Sequence, residues 1–243
     1  MIGKELIPPE KGEFKGKTII VTGGSSGIGL STAKFFSTES GKVAVFDISD
    51  KPDFLHESNF RRVDVTHWEK VKSSVASVVK HFGKLDIVIN NAGVKIKGNI
   101  LDVSSEDFEK LLKINGLGFW NVAKACMPYL IKSHGTLINV CSGTSESLPP
   151  NADAYFGSKG VTYSLTHSLA SSFREKGVRI LGIGPGPVDT PLWRKGKSKY
   201  SIKKSLSGNL GPRVLHPDDI ASMILSLASK NNKSFDGKIY RYL

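Results

Sequence analysis

The sequence predicts one α/β domain, in which a doubly wound, Rossmann-type parallel sheet of about seven strands is covered by helices on both faces. Three observations support this: a length of 243 residues, strand-like segments that are apolar throughout, and longer helical segments between them. A strand buried on both faces has no polar side, so continuous apolar runs indicate a parallel sheet between helical layers. The domain is expected to cover 1–243, with an N-terminal extension over 1–14 and an inserted substrate loop over 191–213.

Seven short segments rich in β-branched residues are predicted as strands, at 18–21, 42–46, 61–65, 85–90, 136–140, 179–183 and 238–242. Helices are predicted over 27–36, 68–82, 105–130, 152–176 and 217–228. The second helix is expected to begin with a capping box formed by Thr66 and Glu69. Between 46 and 61 the sequence contains proline and no apolar stripe, so the crossover helix there is expected to be short or absent.

Composition argues against several classes of protein. No apolar run approaches the roughly 18 residues of a transmembrane helix, and the N-terminal segment lacks the apolar core of a secretion signal. Two cysteines are too few for a disulfide framework or a four-ligand zinc site, and the six histidines show no ligand spacing, so no metal is predicted. Buried free thiols are typical of a reducing compartment, and a cytoplasmic location is expected.

The formal net charge is +12, and the segment 190–217 contains seven Lys or Arg and no acid. Such a segment is either a solvated surface loop or an electropositive flap over a polar or anionic substrate such as a sugar or hydroxy acid. The charge also permits nucleic-acid binding, but no recognised motif or aromatic pattern supports it. Neither a specific nucleic acid nor a membrane is expected as a partner.

The first strand runs into a glycine-rich turn, TGGSSGIG at 22–29. Residues without a Cβ allow a tight turn and let the backbone approach a pyrophosphate, whose charge is stabilised at the N-terminus of the following helix. The spacing G-x-x-x-G-x-G differs from G-x-G-x-x-G, and close helix packing alone is the alternative explanation. The predicted cofactor contacts in the turn are Gly23, Ser25, Ser26, Gly27, Ile28 and Gly29.

The second strand ends at Asp47. An acid at this point of a dinucleotide-binding fold accepts hydrogen bonds from the adenosine ribose hydroxyls. It would also repel a 2′-phosphate. The repulsion energy of two unit charges 4 Å apart is about 4 kcal/mol at an effective dielectric constant near 20. Neither Ser26 nor Ile48 supplies a cation, so the sequence favours NAD over NADP, with Asp47 and Ile48 as contacts. A turn-forming aspartate is the alternative.

Six ordered motifs between about residues 15 and 237 resemble those of the short-chain dehydrogenase/reductase family. The turn at 22–29 resembles the family's T-G-x-x-x-G-x-G. The other motifs are Asp64-Val65, Asn90-Asn91-Ala92-Gly93, Asn115, Ser142 with Tyr155-x-x-x-Lys159, and Pro185-Gly186-Pro187-Val188-Asp189-Thr190. A second Y-x-x-x-K at Tyr200 and Lys204 lacks the upstream serine, and we interpret it as part of the inserted loop.

The resemblance implies an oxidoreductase that transfers a hydride between NAD(H) and an alcohol or carbonyl substrate. The implied catalytic residues are Asn115, Ser142, Tyr155 and Lys159. Tyr155 would be the general acid/base, Ser142 would bind the substrate oxygen, and Asn115 would support a proton path. The implied cofactor contacts are Asp64, Val65, Asn91, Ala92, Gly93, Tyr155, Lys159, Pro185, Gly186, Val188 and Thr190. Family members commonly form homodimers or homotetramers.

Tyr155 and Lys159 are four residues apart, so on a helix they share a face. A tyrosine pKa is about 10, whereas a general base works best near pH 7, and the difference corresponds to about 4 kcal/mol. One ammonium about 4–5 Å away supplies this at an effective dielectric of 20. Lys159 is therefore expected to lower the pKa of Tyr155.

Two other functions stay open. An NADP-dependent carbonyl or 3-oxoacyl reductase would differ mainly in coenzyme preference, which Asp47 argues against. A non-catalytic, dinucleotide-sensing protein would keep the fold, but it would have no need of Ser142, Tyr155 and Lys159 together.

Overall fold

The computed structural model describes residues 6–142, 150–208 and 213–242. Its strands are β1 Thr18–Thr22, β2 Lys42–Asp47, β3 Phe60–Arg62, β4 Ile87–Asn90, β5 Thr136–Val140, β6 Arg179–Pro185 and β7 Ile239–Tyr242. They form one sheet in the order β3-β2-β1-β4-β5-β6-β7, and each neighbouring pair is parallel. The predicted doubly wound fold is confirmed.

Helices cover both faces of the sheet. They are α1 Gly27–Thr38, α2 Trp68–Phe82, α3 Ser105–Leu111, α4 Gly118–Ser133, α5 Asp153–Phe173, α6 Pro191–Arg194, α7 Lys199–Leu206 and α8 Pro217–Ala228. Helices α1 and α8 pack on one face, and α2, α4 and α5 pack on the other, so the apolar strands are buried from both sides. Within the described residues, no helix is long and apolar enough to cross a membrane.

The region between β2 and β4 differs in detail from the prediction. The crossover after β2 is short, as expected, with one 3₁₀ helix at Glu57–Asn59, and β3 ends three residues earlier than predicted. The predicted capping box is wrong. His67 immediately precedes α2, while the Thr66 hydroxyl donates to Asp64 Oδ1 at 2.7 Å. The short-range bond to Asp64 therefore places Thr66 in a turn.

The helix predicted over 105–130 is interrupted between α3 and α4. Residues Leu112–Leu117 form a π-helical segment, a feature that often marks functional sites. This segment contains Asn115, whose side chain is fully buried. The interruption therefore carries one of the predicted site residues into the interior of the domain.

Candidate functional site

The predicted site segments meet at one edge of the sheet. The glycine-rich turn follows β1, Asp47 ends β2, residues 90–93 lie at the end of β4, Ser142 follows β5, and 185–190 follow β6. The carboxyl ends of parallel strands share an edge, and a ligand crevice forms where the strand order reverses, here between β1 and β4. The topology thus brings distant parts of the chain to one crevice.

The glycine-rich turn has no room for side chains at Gly29 and Gly23, where an added Cβ would meet backbone atoms. A Cβ on Gly29 would lie 2.1 Å from the Gly23 carbonyl oxygen, and a Cβ on Gly23, whose φ is +64°, would lie 2.9 Å from the Ala92 Cα. The Ser25 hydroxyl is buried and has no hydrogen-bond partner among the described residues. Ser26 does not cap α1 with its side chain. The first N–H groups of α1 are consequently suited to phosphate oxygens.

Thr22 and Asn91 tie this turn to the loop after β4. The Asn91 side chain donates to the carbonyls of Thr22 and Gly23 at 3.0 and 3.1 Å. The backbone N–H groups of Asn91 and Ala92 donate to the Thr22 hydroxyl at 2.9 and 3.1 Å. Asn91, predicted as a cofactor contact, therefore uses its amide to fix the turn. Thr22 begins the motif but is not among the predicted contacts.

Asp47 is held in place by the backbone. Its carboxylate accepts from the N–H groups of Ser25 and Ser49, each at 2.9 Å. Arg62 is paired with Asp47 in the β2–β3 register, a neighbouring cation that cannot be found without the strand pairing. The Arg62 guanidinium donates to the Ile48 carbonyl at 2.7 Å and to Asp50 at 3.0 Å.

The other predicted contacts on this side differ in exposure. Ile48 is exposed next to Asp47. Asp64 is also exposed, and it accepts from the N–H and hydroxyl of Thr66 at 2.9 and 2.7 Å. Val65 is buried in the core. Ile48 and Asp64 therefore offer surface to a ligand, whereas the side chain of Val65 serves the packing of the domain.

Tyr155 lies near the start of α5 and is buried, and the Ser142 side chain is close enough to act on its phenol. The two residues meet because α5 begins beside the carboxyl end of β5. Burial raises the pKa of Tyr155 above its ordinary value, and the hydrogen bond from Ser142 opposes this change without reversing it. The phenol is thus protonated at neutral pH.

Lys159 lies one turn further along α5 and is buried. Its ammonium donates to the Val140 carbonyl at 3.0 Å and lies 5.0 Å from the centroid of the Phe119 ring. Burial lowers the pKa of Lys159 to about 8. The expectation that Lys159 lowers the pKa of Tyr155 is not met, because burial dominates at the phenol and Lys159 is not among the groups that shift its pKa.

Asn115 connects the loop after β4 to α5. Its Oδ1 accepts from the Val94 N–H at 2.9 Å, and its Nδ2 donates to the Val94 carbonyl at 3.0 Å and to the Ser158 hydroxyl at 2.9 Å. A Cβ on Gly93 would lie 3.0 Å from Asn115 Oδ1 and 3.5 Å from Lys159 Nζ. Asn115, Gly93 and Lys159 therefore converge. Ser158 was not predicted, and its position beside Lys159 is the only signal the sequence offers.

The loop after β6 closes the crevice from the other side. Pro185 and Val188 are buried, and the Gly186 N–H donates to a β7 carbonyl at 2.7 Å. The Thr190 hydroxyl caps α6, and a Cβ on Gly27 would lie 2.9 Å from Thr190 Cγ2. Thr190, which immediately precedes the inserted loop, thus packs against Gly27 of the glycine-rich turn.

The remaining chemical motifs lie outside this arrangement. Tyr200 on α7 is 74% exposed, whereas Tyr155 is 8% exposed. The two Y-x-x-x-K motifs therefore differ in the burial of their tyrosines. In the parts of the chain that the structure describes, no cluster of three or more His, Cys, Asp or Glu could hold a metal ion.

Comparison with known proteins identifies relatives along most of the chain. A family model described as enoyl-(acyl carrier protein) reductase matches residues 23–241. Oxidoreductase UcpA of Salmonella typhimurium is 37% identical over 191 residues, which are 74% of this chain and 73% of that protein. The solved structure of aldohexose dehydrogenase from Thermoplasma acidophilum is 30% identical with a TM-score of 0.87, covering 96% of this chain and 94% of its own. The 3-ketoacyl-(acyl-carrier-protein) reductase of Brucella melitensis, solved with NADH, is 26% identical with a TM-score of 0.83, covering 94% and 97%.

Proposed function

The chain belongs to the short-chain dehydrogenase/reductase family, and from that premise we propose an NAD-dependent oxidoreductase in which Tyr155 exchanges a proton with an alcohol or carbonyl substrate. The observation that carries this proposal is the proximity of the Ser142 side chain to the buried Tyr155, on whose phenol it acts. Lys159 and Asn115 converge on the adjacent loop. The same loop is tied to the glycine-rich turn by Asn91.

The residues have separate tasks in alcohol oxidation. Ser142 donates a hydrogen bond to the substrate oxygen and so stabilises the charge that develops there. Tyr155 takes the hydroxyl proton as the carbonyl forms, and in reduction it returns that proton. Asn115 positions the loop against Lys159. When bound, NAD⁺ supplies the acceptor for the hydride that leaves the hydroxyl-bearing carbon.

The turn after β1 fits a dinucleotide. Close packing at Gly29 and Gly23 brings bare backbone to the crevice, and the buried Ser25 hydroxyl is available as a further partner. These groups and the N-terminus of α1 would hold the pyrophosphate. Asp47 would accept from the adenosine ribose hydroxyls. The Brucella reductase solved with NADH supports this assignment on the same fold.

We expect the chain to bind NAD⁺ at least about tenfold more tightly than NADP⁺, because the Asp47 carboxylate repels a 2′-phosphate. The preference is smaller than for two charges buried away from water, because solvent partly screens the repulsion. Asp47→Asn should strengthen NADP⁺ binding by about tenfold, or about 1.4 kcal/mol. Calorimetric titration of both coenzymes measures this, with Asp53→Asn, an exposed acid of the same crossover, as the control. Tighter NADP⁺ binding by the wild type would favour the NADP-dependent reductase instead.

Because burial raises the pKa of Tyr155, the phenolate needed for oxidation is scarce at neutral pH. Between about pH 6 and pH 8, kcat/KM for alcohol oxidation should rise by up to tenfold per pH unit, while the reduction rate should change little, since the protonated phenol is already abundant. Steady-state kinetics in both directions tests this. A flat oxidation profile would show that the proton acceptor has a much lower pKa than the structure indicates.

A spectrophotometric screen for reduced coenzyme, run with NAD⁺ or NADP⁺ over alcohols, hexoses and hydroxy acids, tests the proposal as a whole. Reduced coenzyme is expected from NAD⁺ with at least one substrate. If NAD⁺ binds tightly and no member of the panel reacts in either direction, the alternative of a dinucleotide-sensing protein is favoured.

A further inference from the structure

Three lysines lie close together, and one of them lies against the Tyr155 ring. Lys95 and Lys97 belong to the loop after β4, and Lys197 lies between α6 and α7. The Lys95 ammonium is 5.0 Å from the centroid of the Tyr155 ring. A Cβ on Gly196 would lie 3.9 Å from Lys97 Nζ, so the basic segment after α6 approaches the loop after β4 at this point.

The charges of the three lysines act on one another. Burial, Lys97 and Lys95 together lower the pKa of Lys197 to about 8. Burial and then Lys97 lower the pKa of Lys95. Lys95 and Lys197 are half-buried, whereas Lys97 is exposed, as are Lys199 and Lys203 of α7. The cluster therefore concentrates positive charge where water screens it incompletely.

The described residues provide little compensation for this charge. None of their ion pairs or hydrogen bonds includes the Nζ of Lys95, Lys97 or Lys197. Asp189 acts on Lys197, but Arg194 holds both of its carboxylate oxygens, at 2.5 and 2.7 Å. The cluster is thus matched to a negative charge that comes from a ligand.

The Lys197 ammonium is also held in place. It lies 3.2 Å from the centroid of the Trp193 ring. The backbone N–H of Trp193 donates to the Thr190 hydroxyl at 3.1 Å. Thr190 in turn lies against Gly27 of the glycine-rich turn. A chain of contacts therefore runs from the predicted coenzyme site to the lysine cluster.

We propose that Lys95, Lys97 and Lys197 bind an anionic group of the substrate, a carboxylate or a phosphate carried close to the carbon that is oxidised or reduced. The proposal rests on the function proposed above, because that function places the reacting oxygen at Tyr155, beside the Lys95 ammonium. Binding would replace mutual repulsion by charge-assisted hydrogen bonds. Lys95 and Lys97 alternate with apolar residues in the sequence VKIKG, and this alternation in the loop after β4 is the signal the sequence offers for the cluster.

The test compares substrates that share one carbon skeleton: a neutral hexose, the corresponding uronate and the corresponding hexose phosphate, together with a 2-hydroxy acid and its methyl ester. The wild type should show kcat/KM at least about tenfold higher for one charged form than for its neutral partner, and added salt should reduce this ratio. Which charged form is preferred distinguishes carboxylate from phosphate.

Variants locate the effect. Lys97→Gln and Lys197→Gln should each lower the charged-to-neutral ratio of kcat/KM about tenfold, mainly through KM. Lys203→Gln, which removes an exposed lysine of α7, should leave the ratio within about twofold. A second measurement needs no variant of the cluster: inorganic phosphate should inhibit the wild type competitively against the neutral substrate.

The outcomes separate the two proposals. Equal use of neutral and charged substrates, with no inhibition by phosphate, overturns the lysine assignment while NAD-dependent turnover still supports the proposed function. If Lys203→Gln lowers the charged-to-neutral ratio of kcat/KM as much as Lys97→Gln and Lys197→Gln do, the anion is not bound at the lysine cluster. Failure to bind NAD⁺ and to turn over any substrate overturns the proposed function, and the assignment with it.

Discussion

Replacement of Tyr155 by phenylalanine is expected to reduce kcat by about 10³-fold, because a positioned acid–base group contributes roughly 10² to 10⁴. The ring would stay in place, since the substitution removes only the hydroxyl that meets Ser142. Affinity for NAD⁺ should change by less than about twofold, because the loss lies in proton transfer and not in coenzyme binding.

Steady-state kinetics with calorimetric NAD⁺ titration separates these effects. Tyr200→Phe is the matched control, because it makes the same change in the other Y-x-x-x-K motif at a side chain that is 74% exposed. It should keep at least about half of the wild-type activity, as expected for a surface change. Full turnover by Tyr155→Phe would contradict the proposed proton acceptor even if the chain oxidises alcohols.

Gly29→Ala is expected to weaken NAD⁺ binding by at least about a hundredfold and to destabilise the fold by about 1–3 kcal/mol. The added Cβ would lie 2.1 Å from the Gly23 carbonyl oxygen, so the turn must move away from the conformation that approaches a pyrophosphate. Thermal unfolding and NAD⁺ titration measure the two effects.

Gly160→Ala provides the control for this glycine substitution. A Cβ at Gly160 meets nothing within 4 Å, and the residue lies inside α5. Alanine there should stabilise the domain by about 0.5–1 kcal/mol. Unchanged NAD⁺ affinity and stability in Gly29→Ala would show that the turn is not the tight cradle described above.

The sheet could be predicted because its signal is local: an apolar run without alternation reports burial on both faces of a strand. The ends of elements were less certain, because small local bonds decide them. Thr66 illustrates this, since its spacing from Glu69 suits a capping box whereas its hydroxyl is bound to Asp64. The π-helical interruption at Leu112–Leu117 likewise has no signal in apolar periodicity.

The residues of the candidate site could be predicted where they belong to a motif. Their roles could be predicted less well, because tertiary contacts determine them. Ser142 and Tyr155 are brought together as the motif spacing suggested. The roles of Asn91, Arg62 and Lys95 depend on contacts between loops or strands that are far apart in sequence. The direction of the Tyr155 pKa shift is set by burial, and Lys159 is not among the groups that shift it.

The most direct test of the central claim follows a label from substrate to coenzyme. A substrate found in the screen is prepared with deuterium on its hydroxyl-bearing carbon and oxidised by the wild type with NAD⁺. Mass spectrometry should find the deuterium in NADH, with the transfer rate reduced about 10³-fold in Tyr155→Phe. Recovery of the deuterium in water, or equal transfer rates in the two proteins, would contradict hydride transfer assisted by Tyr155.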